Sequence, residues 1–145
     1  MSQLLADVPL KRKDGSSVDV EQTLQGKVVA LYFSAHWCPP CRKFTPILRD
    51  FYDEITDDED FEIVFVSKDT SEAELQNYLS EAHGNWLYVP FGHDKIDDLA
   101  KRYNIAGIPS LIVIKPDGTV ISENGRSEIE SKPPKKAFAD WKAKL

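Results

Sequence analysis

Val28-Val29-Ala30-Leu31-Tyr32-Phe33 is a continuous apolar run. A strand with one face in water alternates apolar and polar side chains, whereas an unbroken run of this length reads as a strand buried on both faces. Such a strand needs a packed layer above and another below, so the chain must build a sheet covered on two sides. The following segments supply that cover. Phe44, Ile47, Leu48, Phe51, Tyr52 and Ile55 recur at the spacing of one helix face. Pro46 lies inside this helix and is expected to kink it. Residues 63–66 read as a second buried strand, and Ser71 with Glu74 reads as a capping box for a helix whose inner face is Leu75, Tyr78, Leu79 and Ala82. Residues 86–89 read as a short strand, and Ile96, Leu99, Ala100 and Tyr103 as a helix. Residues 111–114 and 119–122 flank Pro116-Asp117-Gly118 as a hairpin. Pro133-Pro134 opens a last helix with Phe138, Trp141 and Leu145 inward. The first 25 residues read as two short strands around Lys13-Asp14-Gly15-Ser16, an N-terminal β-hairpin. Together these elements predict an α/β domain with a central mixed β-sheet flanked by helices. There is no internal repeat and no linker-like stretch, so residues 1–145 read as one domain.

Composition excludes several classes. Hydrophobic residues make up 41% of the chain, with 3 Trp, 5 Tyr and 7 Phe, enough to fill a core and too many for a disordered protein. Lys and Arg number 18 against 24 Asp and Glu, a net charge of -6, which gives no electrostatic reason to coat nucleic acid or an anionic membrane. The apolar runs are strand-length, far short of the roughly 20 residues of a membrane helix. Lys11-Arg12-Lys13 has no stretch of signal-peptide character beside it, and no Asn-x-Ser/Thr acceptor occurs. The expectation is a soluble monomer of the cytoplasm, with the nucleus as a second location, and with neither nucleic acid nor membrane as partner. The basic clusters at 11–13 and 132–136 read as solvated faces, and Trp86 and Trp141 as core.

The only two cysteines stand as Cys38-Pro39-Pro40-Cys41. A ring closed over two intervening residues stabilises a fold very little, so the pair reads as chemistry rather than scaffolding. A strand ending before Cys38 and a helix starting after it place the first sulfur at a helix N-terminus, where unpaired amides and the helix dipole favour a thiolate. Pro39 and Pro40 have no N–H, which leaves the Cys41 amide as the donor to the Cys38 sulfur. For a generic thiol moved from about 8.5 to about 7, the thiolate fraction at neutral pH rises about fifteen-fold while intrinsic nucleophilicity falls about five-fold. The net gain in attack is only about three-fold. The larger benefits are a better leaving group and a second thiol one turn away, which makes resolution of a mixed disulfide intramolecular. A structural zinc site wants four ligands, and two sulfurs with His36, His83 and His93 form no second cysteine pair to complete one; no metal or other cofactor is expected.

Trp37-Cys38-Pro39-Pro40-Cys41, together with Gly107-Ile108-Pro109-Ser110-Leu111, resembles the thioredoxin superfamily, and the order of elements fits from residue 26 to 145. Within it, the segment from Tyr32 to Arg42, then Phe44-Thr45-Pro46, and Trp86-Leu87-Tyr88-Val89-Pro90-Phe91 are similar to tryparedoxins and nucleoredoxins. The resemblance implies a thioredoxin-like fold in which Cys38 attacks, Cys41 resolves and Pro109 sits in cis opposite the sulfurs, with the Ile108 backbone free to pair with a substrate peptide. Pro39 and Pro40 join the substrate-binding surface, and Trp37 offers a flat apolar face for docking.

The chain departs from the family at two places. Thioredoxins keep a buried Asp six residues before the first cysteine, where this chain has Tyr32, so proton transfer must use water or another group. Asp69, after the second buried strand, is the candidate for that transfer. Tryparedoxins have Trp-Asp-Glu near the position where this chain has Lys68-Asp69-Thr70, which argues against their glutathione–spermidine conjugate as reductant and toward a nucleoredoxin-like protein. His36 and Arg126 read as exposed charges. The resemblance thus implies a protein-disulfide reductase fed by a thiol or dithiol donor. The competing reading is a redox-sensitive binding module that holds signalling partners and releases them on oxidation.

Overall fold

A computed structural model describes residues 2–145. The elements run α1 (Ser2–Leu5), β1 (Lys11–Arg12), α2 (Val20–Leu24), β2 (Val28–Ser34), α3 (Pro39–Thr56), β3 (Phe61–Ser67), α4 (Glu72–Ala82), β4 (Leu87–Tyr88), α5 (Lys95–Arg102), β5 (Ser110–Ile114), β6 (Val120–Ser122), α6 (Gly125–Ser131) and α7 (Pro134–Lys142). The six strands form one sheet in the order β1-β4-β3-β2-β5-β6. β2 lies near its centre, parallel to β3 and antiparallel to β5, with Leu31 opposite both Val64 and Ile112. The sheet is therefore mixed, as the alternation of elements predicts.

The apolar run of β2 is buried along its whole length, and its side chains divide between two cores. Ala30 and Tyr32 join Phe44, Leu48, Tyr78 and Trp141 from α3, α4 and α7. Val29, Leu31 and Phe33 join Leu5, Leu24 and Leu99 from α1, α2 and α5 on the other face. Each core removes apolar surface from water at roughly 25 cal/mol per Å², so the buried polar groups of this strand, the Tyr32 and Ser34 hydroxyls, both find hydrogen-bond partners. Trp86 and Trp141 are buried as expected. α3 runs through Pro46 to Thr56.

The N-terminal hairpin is reduced to its turn. Arg12 N–H donates to Ser16 O at 2.9 Å and Gly15 N–H to Arg12 O at 2.8 Å, with Gly15 at φ 88°. Beyond the turn only Lys11 and Ser17 bridge, while the ladder partner of β1 is β4. The second predicted strand is instead the helix α2, because Asp19 caps it by accepting Gln22 N–H at 3.0 Å and Leu24 anchors it in the core. The first basic cluster is likewise corrected, while Lys135 and Lys136 of the second are exposed as expected. Arg12 and Lys13 donate to Asn85 O and His83 O at 3.0 and 2.9 Å, tying the N-terminal turn to the segment after α4. Lys132 and Lys136 both bond Asp140. Leu145 lies beyond the last turn of α7 and is exposed rather than inward. The capping box is one-sided: Ser71 Oγ accepts Glu74 N–H at 3.2 Å, while the Glu74 carboxylate accepts from the Thr70 and Ser71 hydroxyls.

α6 was not legible in the sequence, since it begins at Gly125 and its cap residue Asn124 makes no side-chain bond. Gly125 is there for space. A Cβ at that position would stand 2.9 Å from Leu111 O and 3.0 Å from a Leu111 methyl carbon on β5. Gly125→Ala is therefore expected to lower stability by about 1–3 kcal/mol, since backbone must move to admit the methyl; urea unfolding checks it.

Candidate active site

Cys38 is the N-cap of α3, in extended conformation at φ -100° and ψ 108°, with Pro39 and Pro40 filling the first turn. Its Sγ accepts the Cys41 N–H at 3.3 Å, the donor that two successive prolines leave available. Cys38 and Cys41 are joined as a disulfide. Cys41 is wholly buried and Cys38 nearly so at 5%, while Pro39 and Pro40 beside them are exposed. The sulfurs pack against Ala35 and Ile108. The Ile108–Pro109 peptide is cis, and Ile108 O lies 3.9 Å from Cys38 Sγ. The β2–α3 loop and the loop before β5, 70 residues apart in sequence, thus meet at one sulfur.

Trp37 is 53% exposed and its indole N–H donates to Lys68 O at 3.0 Å, which fixes the ring beside the dithiol with its face to solvent. Asp69 Oδ1 accepts the His36 N–H at 2.8 Å and Oδ2 the Ser67 hydroxyl at 2.6 Å. The Asp69 carboxylate therefore braces the loop that delivers Cys38. His36 is not a free solvent-facing ring: its Nε2 pairs with Glu81 at 2.9 Å and the ring packs on Tyr78. Arg126 sits 5.8 Å from the Phe44 ring centroid and 3.4 Å from Glu130.

Beneath the dithiol is a cluster that sequence reasoning did not assemble. Tyr32 Oη lies 2.6 Å from Thr45 Oγ1 and 3.5 Å from Cys41 O. Thr45 Oγ1 donates to Cys41 O at 2.8 Å and lies 2.6 Å from Tyr78 Oη, which in turn lies 2.5 Å from Ser34 Oγ. Burial pushes the Tyr32 and Tyr78 phenols above their ordinary range. The available signal was Thr45, a polar residue one position from Phe44 on the buried side of α3 and four after Cys41.

His83 completes the layer below. It is fully buried among Tyr32, Phe65, Tyr78 and Trp86, and its Nδ1 accepts the Trp86 indole N–H at 3.1 Å. Burial, with a smaller contribution from the Lys13 charge, pushes the imidazole down from 6.5 to about 3. The unfolded chain binds this proton below pH 6.5 and the folded chain does not until pH 3. Stability is thus fully present above pH 6.5 and falls as pH drops from 6.5 toward 3. His83→Gln keeps an acceptor for Trp86 but does not titrate; we expect its loss of unfolding free energy between pH 7 and pH 4.5 to be smaller than that of the wild type, read by urea titration at the two pH values.

A strand-to-helix dithiol facing a cis-proline loop on a mixed sheet defines the class, and the sequence comparison agrees: the family model described as thioredoxin-like matches residues 26–120. The chain belongs to the thioredoxin-like family. Within that family it is nucleoredoxin- and tryparedoxin-like. It is 45% identical over 123 residues to nucleoredoxin from Mus musculus, a match covering 83% of this chain and 28% of that protein. The chain thus spans little more than a quarter of the length of this relative. Among solved structures, thioredoxin from Wuchereria bancrofti is 54% identical with a TM-score of 0.83, over 97% of this chain and 98% of that one. Native tryparedoxin I from Crithidia fasciculata is 36% identical with a TM-score of 0.85, over 94% of each chain. Among the described residues, no helix is long and apolar enough to cross a membrane.

Proposed function

We propose that this protein reduces disulfides of other proteins through the Cys38–Cys41 dithiol, with Cys38 attacking and Cys41 resolving. The observation that carries the assignment is the asymmetry of the two sulfurs. Cys38 stands at a helix N-terminus, accepts an amide N–H and borders the exposed Trp37, Pro39 and Pro40, whereas Cys41 has no exposed surface. In the reduced protein the Cys38 thiolate attacks one sulfur of the target disulfide, forming a mixed disulfide and releasing a target thiolate. Cys41 gives up its proton and attacks Cys38 Sγ, closing the protein disulfide and releasing the second target thiolate. The two thiol protons of the enzyme end on the two thiols of the target, and two electrons pass from dithiol to disulfide. A thiol or dithiol donor then restores the pair. The substrate chain lies along the Ile108 backbone at the cis-Pro109 loop and on the face of Trp37. Asp69 braces the loop in this reading and remains the candidate for proton transfer, because each carboxylate oxygen accepts one bond and keeps a lone pair.

The test is insulin reduction with dithiothreitol as donor. Turnover above the rate with dithiothreitol alone supports the reading. No turnover by folded protein contradicts a general reductase.

A further inference from the structure

We infer that Thr45 is a positioning residue for the resolving step: it is the hub of a buried hydroxyl chain that converges on the Cys41 carbonyl and holds that cysteine in line with Cys38. The inference rests on the dithiol mechanism proposed above.

The four hydroxyls come from three elements: Tyr32 and Ser34 from β2, Thr45 from α3 and Tyr78 from α4. Their protons have one consistent order. Thr45 has a single proton and gives it to Cys41 O at 2.8 Å. Its oxygen then has two lone pairs, and the two phenols, each 2.6 Å away, fill both. With its own proton committed to Thr45, Tyr78 Oη accepts from Ser34 Oγ at 2.5 Å. Every proton points toward Cys41, and chains of this kind strengthen one another in a low-dielectric interior.

The first turn of α3 needs such a hold. Pro39 and Pro40 have no N–H, and the Cys41 N–H is directed at Cys38 Sγ. The bond from Cys41 N–H fastens Cys41 to the very sulfur whose partner changes during the reaction. The Cys41 carbonyl is held from below by the Thr45 hydroxyl, which the Tyr32 and Tyr78 phenols hold in turn. Stability alone does not require the cluster, because replacing both members of a buried hydrogen-bonded pair by apolar groups of the same shape is close to neutral. Position does require it, since a misplacement of about 1 Å between reacting atoms costs up to about 10²-fold in rate. The attacking step draws on this hold only through the Cys41 N–H, since Cys38 itself lies outside the hydroxyl chain.

Thr45→Val keeps the side-chain shape and deletes the hydroxyl, and Thr45→Ser keeps the hydroxyl. Single-turnover mixing of the reduced proteins with oxidised insulin, quenched with acid, resolves formation and decay of the mixed disulfide by mass. Alkylation of Cys38 by iodoacetamide across pH reads the attacking thiolate. We expect Thr45→Val to form the mixed disulfide within about two-fold of the wild-type rate, with an unchanged alkylation profile, and to resolve it at least about ten-fold more slowly. Thr45→Ser is expected to behave as wild type. Should Thr45→Val fail to fold, Tyr78→Phe removes one of the two donors to Thr45 while keeping the ring, and a several-fold slower decay is expected. Decay at the wild-type rate, or equal slowing of both steps, overturns the role of Thr45 and leaves the reductase reading intact. A wild-type protein that forms no mixed disulfide overturns both.

Discussion

Cys38→Ser is expected to lose insulin reduction by about 10³-fold or more, to the rate of dithiothreitol alone, because a serine hydroxyl is neither ionised near neutral pH nor able to form the mixed disulfide. Cys41→Ser should also lose turnover, for a different reason. Its Cys38 still sits at the helix N-terminus and still finds the residue 41 amide, since that donor belongs to the backbone. The variant can therefore attack but cannot resolve, and covalent adducts accumulate. The difference follows from burial: no target sulfur reaches Cys41, whereas Cys38 borders the exposed prolines and Trp37. Full activity in Cys38→Ser contradicts the mechanism outright.

Arg12→Ala is expected to be among the most destabilising surface truncations. Glu62 on β3 has a side chain only 3% exposed, paired with Arg12 Nη2 at 3.3 Å and accepting the Tyr52 hydroxyl at 2.9 Å. Removing the guanidinium leaves a carboxylate in the interior with one phenol and one amide as partners, and also frees Asn85 O. Breaking a buried pair in this way costs about 3 kcal/mol, or a fall in Tm of roughly 6–12 °C for a domain of this size. The pair itself is not the source of that energy. Arg12→Met combined with Glu62→Gln removes both charges and should recover most of the loss, because the cost lies in the orphaned carboxylate. Thermal unfolding of the two variants beside the wild type checks the pattern, and an Arg12→Ala protein within 0.5 kcal/mol of wild type would show that Glu62 finds solvent.

Much of the fold was legible because its strongest elements are set by local patterns. The unbroken run of β2 announced a two-sided sheet, the period of α3 announced its cover, and Pro116-Asp117-Gly118 announced the β5–β6 turn. What stayed hidden had weak or competing local signals. Val18 and Val20 look like strand residues, yet Asp19 caps a helix between them and Leu24. α6 opens on a glycine retained for its close approach to Leu111 O.

The site was divided in the same way. Cys38, its amide donor, the exposed Trp37 and the cis bond at Pro109 followed from the motif and the family resemblance. The hydroxyl chain did not, because Tyr32, Thr45 and Tyr78 come from three elements whose meeting is a tertiary fact, and each alone reads as ordinary core. Asp69 was found as a residue of interest, and its bonds to His36 and Ser67 reveal its structural part only once both loops are placed.

The central claim is that Cys38, and not Cys41, makes the bond to the target. Intact mass and a non-reducing peptide map of Cys41→Ser after incubation with oxidised insulin test it most directly. The account predicts one insulin chain per protein, linked at Cys38 and released by dithiothreitol. A Cys41→Ser protein that stays folded and carries no adduct, alongside a Cys38→Ser protein that does carry one, would contradict it.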